Sequence, residues 1–374
     1  MPGLNETIER LLRGQHALQA AVQALEPALG DQMRVVREFG ADPGALRMRL
    51  FKPPGLADGA PLVVTLHGCG QTAEGYAHGA GWLDLARRAG FAVLAPEQVS
   101  ANNPNRCFNW FQPEDIRRGQ GEAASIAAMI ETAVRAERLD PARVFVTGLS
   151  AGGAMTAVML ATYPELFAGG AIIAGVAYGL ASTVQEALLA MRAAARPQAG
   201  SLAQAVLRAA PARPRPVRLS IWQGDADAVV LAGNAADLAA QWAAVAGLPP
   251  EPGMTEAAEG RHRQVWGAGE ADGPAIELNM IHGLGHGTPL SAAGPDGLGQ
   301  AAPFLIEAGL SSTLEIARFW GLPLDAAPAG ETRSAHEPEP AAGLADRFID
   351  SLKGHMPAKV HAWLAKRLRG GTPK

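Results

Sequence analysis

The chain predicts an α/β fold, a mainly parallel, doubly wound sheet with helices on both faces. Three observations carry this expectation. Short apolar runs alternate with helical stretches along most of the length. Those runs are continuously apolar rather than alternating, as strands buried on both faces must be. Gly, Pro and Asp punctuate the boundaries between them.

Taken in order, residues 5 to 25 space Ile8, Leu11, Leu12, Leu18, Val22 and Leu25 as one helical face, so 1–30 reads as an N-terminal amphipathic helix. Asp58, Gly59 and Pro61 turn the chain into PLVVTLHG, a buried strand. Asp84 to Ala89 is helical in pattern, and FAVLAPE is a second buried strand. Residues 119 to 138 form a helix closed by Asp140-Pro141. RVFVTG is a third strand, followed by the helix AGGAMTAVMLAT, which stops before Pro164. AGGAIIAGVA is a fourth strand, and residues 181–216 read as a helical insertion ending in a Pro-rich connector. VRLSIWQGD, a helix over Leu231 to Ala246, AIELNMIHG and the helix SSTLEIARFWGL complete a catalytic-sized domain spanning 31–325. Residues 326–343 (AAPAGETRSAHEPEPAAG) have linker composition. Residues 344–374 form a basic amphipathic helical tail, with Leu344, Phe348, Leu352, Trp363, Leu364 and Leu368 on its apolar side. There is no internal repeat.

Composition narrows the function classes. Of 374 residues, 48% are hydrophobic and 18% charged, enough for a large core and too apolar for a disordered chain. Lys plus Arg number 32 against 36 Asp plus Glu, so no general basic field exists to hold nucleic acid. No apolar run is long enough to cross a bilayer. Two cysteines, Cys69 and Cys107, are too few for a disulfide scaffold or a structural zinc site.

Chemistry first shows at Gly148-Leu149-Ser150-Ala151-Gly152, a G-x-S-x-G pattern between a strand and a helix. A sharp strand-to-helix turn would expose the Ser150 hydroxyl above the sheet edge, and the two glycines would let the neighbouring backbone approach. The bland alternative is an N-capping serine. A serine hydroxyl is a weak nucleophile and needs a base held by an acid. In doubly wound hydrolases these partners follow in the order acid, then His, from loops after later strands. QGDADAVV follows one strand and HGLGHGTPL another. His286, between flexible glycines, is favoured over His282, which continues its strand and reads as a packed residue. Asp227 is favoured over Asp225, which reads as a turn cap. The amide of Ala151 would point at the reacting oxygen. The loop His67-Gly68-Cys69-Gly70-Gln71 would bring a second amide, that of Cys69. His67 itself reads as a structural histidine at a strand end.

The segments LHGCGQTAEGYAHGAGWLDLARRAGFAVLAPEQ, CFNWF, RGQGEAASIAAMI and RVFVTGLSAGGAMTAVMLATYPELFAGGAIIAG, in that order, resemble the poly(3-hydroxybutyrate) depolymerase family of esterases. That family is related to feruloyl and acetylxylan esterases. The resemblance implies an α/β-hydrolase fold, ester hydrolysis through an acyl-enzyme, and no cofactor or metal. It carries the nucleophile to Ser150, the acid to Asp227, the base to His286 and the oxyanion donors to Cys69 and Ala151. It implies a Cys69–Cys107 disulfide, and substrate contacts at Gln71, Asn109 and Trp110.

Two departures bear on substrate. Polymer-degrading relatives often place Trp just after the catalytic His, whereas Gly287-Thr288-Pro289 stands here. No separate polymer-binding domain is evident. Soluble hydroxyalkanoate oligomers or short acyl esters are therefore the expected substrates, with feruloyl or acetylxylan esters as the alternative. A non-catalytic polymer- or partner-binding scaffold is the remaining reading. The N-terminus carries Glu6 and Glu9 and no apolar signal core, which points to the cytoplasm, while the resemblance implies export.

Overall fold

A computed structural model describes residues 32–192, 198–210, 217–258, 260–267, 275–294 and 296–324. The chain divides into two units, Met1–Pro328 and Ala329–Lys374, and every described residue belongs to the first. The expected N-terminal helix (1–30), the linker (326–343) and the basic tail (344–374) lie outside the described residues.

Twelve strands are described: β1 (Arg34–Val36), β2 (Arg47–Phe51), β3 (Leu62–Leu66), β4 (Ala92–Glu97), β5 (Val144–Leu149), β6 (Gly169–Ile173), β7 (Arg218–Gly224), β8 (Met254–Ala258), β9 (Arg261–Trp266), β10 (Ile276–Ile281), β11 (Thr288–Leu290) and β12 (Leu305–Glu307). Ten form one sheet in the order β1-β2-β4-β3-β5-β6-β7-β10-β9-β8, and β11 pairs with β12 in a second. The six strands read from the sequence are the central parallel block, β4 to β10 in that order. The antiparallel additions at both ends were not read. β1 and β8 are largely exposed, and β9 begins Arg-His-Arg-Gln, so neither burial nor an apolar run marked them.

The α-helices are α1 (Ala73–Gly79), α2 (Trp82–Ala89), α3 (Gly121–Glu137), α4 (Ala151–Thr162), α5 (Val184–Met191), α6 (Ala199–Ala209), α7 (Gly233–Ala246) and α8 (Ser312–Trp320). Side chains alternate across the central strands, so the sheet has two cores. Leu62, Val64, Val146, Ile172 and Ile221 face α3, α4, α6 and α7. Val63, Phe145, Ile173 and Trp222 face α1, α2 and α8. α4 is buried along its whole length, which explains its lack of any charged residue. The region expected as an insertion supplies α5 and α6, and α6 plants Leu202 and Val206 in the first core.

The second core is organised by Trp320. Its ring stacks on Phe145 at 4.9 Å and on Trp82 at 5.7 Å. Its indole N–H donates to the Gly170 carbonyl at 3.3 Å. A residue on the last described helix thus ties α2 to the middle of the sheet. Trp320→Ala is expected to lower unfolding free energy by about 3–5 kcal/mol, because the void lies between two rigid aromatic rings. Urea denaturation checks this, and a midpoint equal to wild type would remove Trp320 from that role.

Candidate active site

The site is built at the carboxyl ends of the parallel strands, where crevices of open α/β sheets form. β5 ends at Leu149, and Ser150 follows with φ 58° and ψ −117° before α4 begins. A non-glycine residue in that region is strained by about 1–3 kcal/mol, and the surroundings must enforce it. Three glycines make the turn possible. A Cβ on Gly148 would stand 2.3 Å from the Gly152 carbonyl oxygen. One on Gly152 would stand 2.1 Å from that of Leu66, and one on Gly153 2.8 Å from that of Ile173. Ser150 makes no capping bond to α4, so the N-cap alternative does not describe it.

Its hydroxyl instead meets His286 Nε2 at 2.9 Å, and His286 Nδ1 meets Asp227 Oδ2 at 2.7 Å. The imidazole side chain is 8% exposed and the carboxylate fully buried. Asp227 Oδ1 accepts the amides of Val229 (2.8 Å) and Val230 (2.9 Å). Its Oδ2 also accepts Gln223 Nε2 at 3.0 Å. With a carboxylate oxygen as its neighbour, Nδ1 is the ring nitrogen placed to donate, which leaves Nε2 to accept from the serine hydroxyl. Gln223 also donates to the carbonyls of Gly224 and Val230, fixing the turn that carries Asp227. Sequence reading passed over Gln223, because one glutamine at the end of a strand has no distinguishing pattern.

The competing His and Asp also find each other. His282 Nδ1 lies 2.8 Å from Asp225 Oδ2, and the Gly283 amide donates to Asp225 Oδ1 at 2.7 Å. The hydrogen bond from His282, then that from Gly283, hold the Asp225 carboxyl below the usual carboxylate range. Asp225 thus caps the turn after β10, through the Gly283 amide 58 positions away, rather than the turn after Gly224 expected from sequence. His282 is not packed as expected, since its side chain is 86% exposed. It sits one residue past the end of β10, where the covering layer stops. The glycine of QGD is also needed: a Cβ on Gly224 would stand 2.1 Å from the Leu284 carbonyl oxygen.

The loop after β3 lies on paired backbone. His67 is fully buried, its Nδ1 2.8 Å from the Gly68 carbonyl, and its Nε2 accepts the Gln98 amide at 3.1 Å. Burial above all pulls its pKa from 6.5 to about 4, so the ring is neutral and structural. Gly68 N donates to Gln71 Oε1 (2.8 Å), Gly70 N to the Asn105 carbonyl (2.8 Å), and Gln71 N to the Gly68 carbonyl (3.2 Å). Among the described residues no hydrogen bond engages the Cys69 amide, which lies between the paired amides of Gly68 and Gly70. Ala151 opens α4, where a first-turn amide has no partner within the helix.

Cys69 and Cys107 are joined by a disulfide that spans 38 positions. Behind it, Gln98 Nε2 donates to the Cys107 carbonyl and to Glu122 Oε1, while Glu122 Oε2 accepts the Asn109 amide at 2.8 Å. Burial, then the charge of Asp115, pushes the Glu122 carboxyl up to about 8. Asn109, expected at the substrate, spends its side chain here. Its Nδ2 donates to Asp115 Oδ2 and its Oδ1 accepts Asn103 Nδ2, both at 3.1 Å. Gln71 likewise uses Oε1 to brace its own loop. Trp110 is buried against the first core, edge-on to Phe111 at 5.4 Å. Structural bonds therefore engage the Asn109 side chain and the Oε1 of Gln71 in bracing these loops.

A groove of about 470 Å³ elsewhere is lined by Arg218, Glu256, Arg261, Arg263, Glu277 and Glu315, among others, and contains none of these residues. Its Arg263–Glu277 (2.7 Å) and Arg261–Glu315 (3.3 Å) pairs make it a lattice of ion pairs. Among the described residues no helix is long and apolar enough to cross a membrane, and no group of three or more His, Cys, Asp or Glu is placed to hold a metal ion.

Comparison with known proteins identifies relatives of the chain. Residues 46–265 match the family model described as Esterase PHB depolymerase. The chain is 40% identical to poly(3-hydroxyalkanoate) depolymerase C of Paucimonas lemoignei, across 77% of this chain and 69% of that protein. It is 33% identical to an acetylxylan esterase of Coprinopsis cinerea, across 70% of each. The solved acetyl xylan esterase from Aspergillus awamori superposes with a TM-score of 0.60 at 28% identity, covering 68% of this chain and 93% of that one. The fold is that of the α/β-hydrolases.

Glu122 yields a pH prediction. Its raised pKa means that the folded state keeps a proton the unfolded state releases. Its contribution is complete below the unfolded value of 4.5 and is lost as pH rises through 8. Glu122→Gln cannot titrate, although its amide sacrifices one acceptor and lowers stability throughout. Between about pH 5 and 9, wild type should lose stability relative to this variant. Urea midpoints that run parallel in the two proteins would contradict the assignment.

Proposed function

The chain belongs to the Esterase PHB depolymerase family and is a carboxylic ester hydrolase, and on that premise we propose that it works as a serine esterase through Ser150, His286 and Asp227. The observation that carries the reading is the unbroken line Ser150 Oγ–His286 Nε2–His286 Nδ1–Asp227 Oδ2, with spacings of 2.9 and 2.7 Å.

In the proposed reaction Ser150 Oγ attacks the ester carbonyl carbon as His286 Nε2 removes its proton. The Asp227 carboxylate holds the Nδ1–H and stabilises the imidazolium. The carbonyl π electrons move to oxygen, and the amides of Cys69 and Ala151 receive that oxyanion. Removing one such donor from an acyl-transfer enzyme typically slows it about 10²–10³-fold. Collapse of the tetrahedral intermediate breaks the bond to the alcohol oxygen, which leaves with the proton from His286. A water molecule then attacks the acyl-enzyme by the same steps and releases the acid and free Ser150.

The substrate class follows from the relatives. The similarity to a poly(3-hydroxyalkanoate) depolymerase supports hydroxyalkanoate esters, as polymer or oligomers, and short acyl esters generally. A second reading, acetylxylan deacetylation, is supported by the Coprinopsis relative and by the superposition on the Aspergillus enzyme. Hydrolysis rates on hydroxybutyrate oligomers, acetylxylan and feruloyl esters rank the two readings.

The mechanism makes its own prediction. Ser150→Ala is expected to abolish labelling by a fluorophosphonate and hydrolysis of p-nitrophenyl butyrate, and Asp227→Asn to slow hydrolysis by up to about 10⁴-fold. If Ser150→Ala is still labelled and still turns over like wild type, the mechanism is wrong.

A further inference from the structure

One aromatic ring touches the candidate base from outside the three residues assigned to the reaction. Phe304, just before β12, packs edge-on to the His286 imidazole, with ring centroids 5.7 Å apart and planes at 79°. Its backbone has φ 64°. A bulky side chain in the left-handed region is an outlier that persists only where the surroundings impose it. Ser150, the residue on the other side of His286, is held in the same half of conformational space.

The imposing contacts are visible. Ala302 and Leu305 exchange both amide-to-carbonyl hydrogen bonds, at 3.1 and 2.9 Å, so Phe304 sits in a turn closed from both ends. The Phe304 carbonyl accepts the Thr288 amide at 2.8 Å. A Cβ on Gly287 would stand 2.7 Å from that same oxygen, so the residue after His286 must be glycine for the turn to close on it. β11 and β12 then pair in register, Thr288 against Leu305. The segment that leaves the imidazole is thereby clamped to the segment that carries the phenyl ring.

Phe304 is half-buried, packed against the rim of the second core rather than sealed inside it. The chemistry of the proposed reaction gives a ring at that rim a further use. His286 Nε2 must hand its proton to the departing alcohol oxygen, so the alcohol half of the ester lies beside His286, not beside the helix N-terminus.

We infer that Phe304 is a positioning and specificity residue, whose ring holds the His286 imidazole in line with Ser150 and forms the apolar wall met by the leaving alcohol. This rests on the serine mechanism proposed above. A clamped aromatic wall there favours esters whose alcohol portion is apolar or branched over those of small alcohols.

Two butyrate esters test it, methyl butyrate and benzyl butyrate, because both form the same butyryl-enzyme and differ only in the alcohol. Phe304→Ala is expected to lower kcat/KM for the benzyl ester roughly 2–12-fold more than for the methyl ester, the range an aromatic contact supplies. The pH profile is the second readout and should change as well, since the imidazole is no longer held in line with Ser150. Phe304→Tyr, which keeps the ring, should retain the wild-type ratio and profile. Phe304→Leu keeps bulk without a ring and serves if the alanine variant fails to fold, with the same loss expected. Thermal unfolding of each variant reports fold separately. An unchanged benzyl-to-methyl ratio and unchanged pH profile in a folded Phe304→Ala or Phe304→Leu protein would overturn the inference. Ser150→Ala, run alongside, separates the two failures: if it turns over like wild type, the mechanism itself has fallen, and if it is inactive while Phe304 variants behave as wild type, only the role of Phe304 has.

Discussion

Ser150 occupies a backbone conformation that a serine would not choose, and the close approach of Leu66 to Gly152 is what keeps it there. That approach requires β3 and β5 to be parallel neighbours with Leu66 opposite Gly148. β4 must then lie on the far side of β3, which gives the order β4-β3-β5. The same adjacency brings the loop after β3, with the Cys69 amide, to the edge where α4 begins. One steric demand at a glycine therefore sets the strand order and the position of the oxyanion loop together.

Around this elbow the protein relies on buried polar groups rather than on packing alone. His67, Gln98, Glu122 and Asn109 form a connected set in which the one neutral imidazole and the one raised carboxyl are both consequences of burial. Two of these links pair backbone amides, those of Gln98 and Asn109, that burial would otherwise leave without partners. The disulfide closes the same loops covalently, and in the chain-entropy picture a ring of this size is worth about 3–4 kcal/mol. On the opposite side Gln223 and two amides fix Asp227. Polar groups fixed in this way need little rearrangement when charge develops during reaction, which is how such sites gain most of their rate.

The six central strands could be read from the sequence because burial on both faces forces continuous apolar runs. The edge strands could not, because a half-solvated strand such as β8 or β9 carries the same residues as a surface loop. Ser150, Asp227 and His286 were legible for a different reason. They sit just after strand ends, and the strands themselves were visible, so the loops that follow could be searched. Gln98 and Glu122 were invisible, since a buried amide or acid is recognised by its partners and these two lie 24 positions apart, while Gln223 has near partners but no pattern that marks it. The brace that Asn103 and Asp115 give the Asn109 side chain was equally hidden, because loop hydrogen bonds follow no periodic pattern. The match to the family stops at residue 265, short of His286 and Phe304. That part of the site rests on geometry.

By itself the sequence determined the fold class, the central strands and the residue types available for chemistry, because these follow from local spacing and from how water treats apolar runs. Which His pairs with which Asp was decided only in three dimensions. His282 and His286 lie four positions apart, Asp225 and Asp227 only two, and hydropathy treats the members of each pair alike. The close contact of Gly224 with Leu284 sets the two loops against each other, so that one pair faces solvent and the other faces Ser150. Backbone contact across 60 positions, which no local pattern encodes, makes that choice.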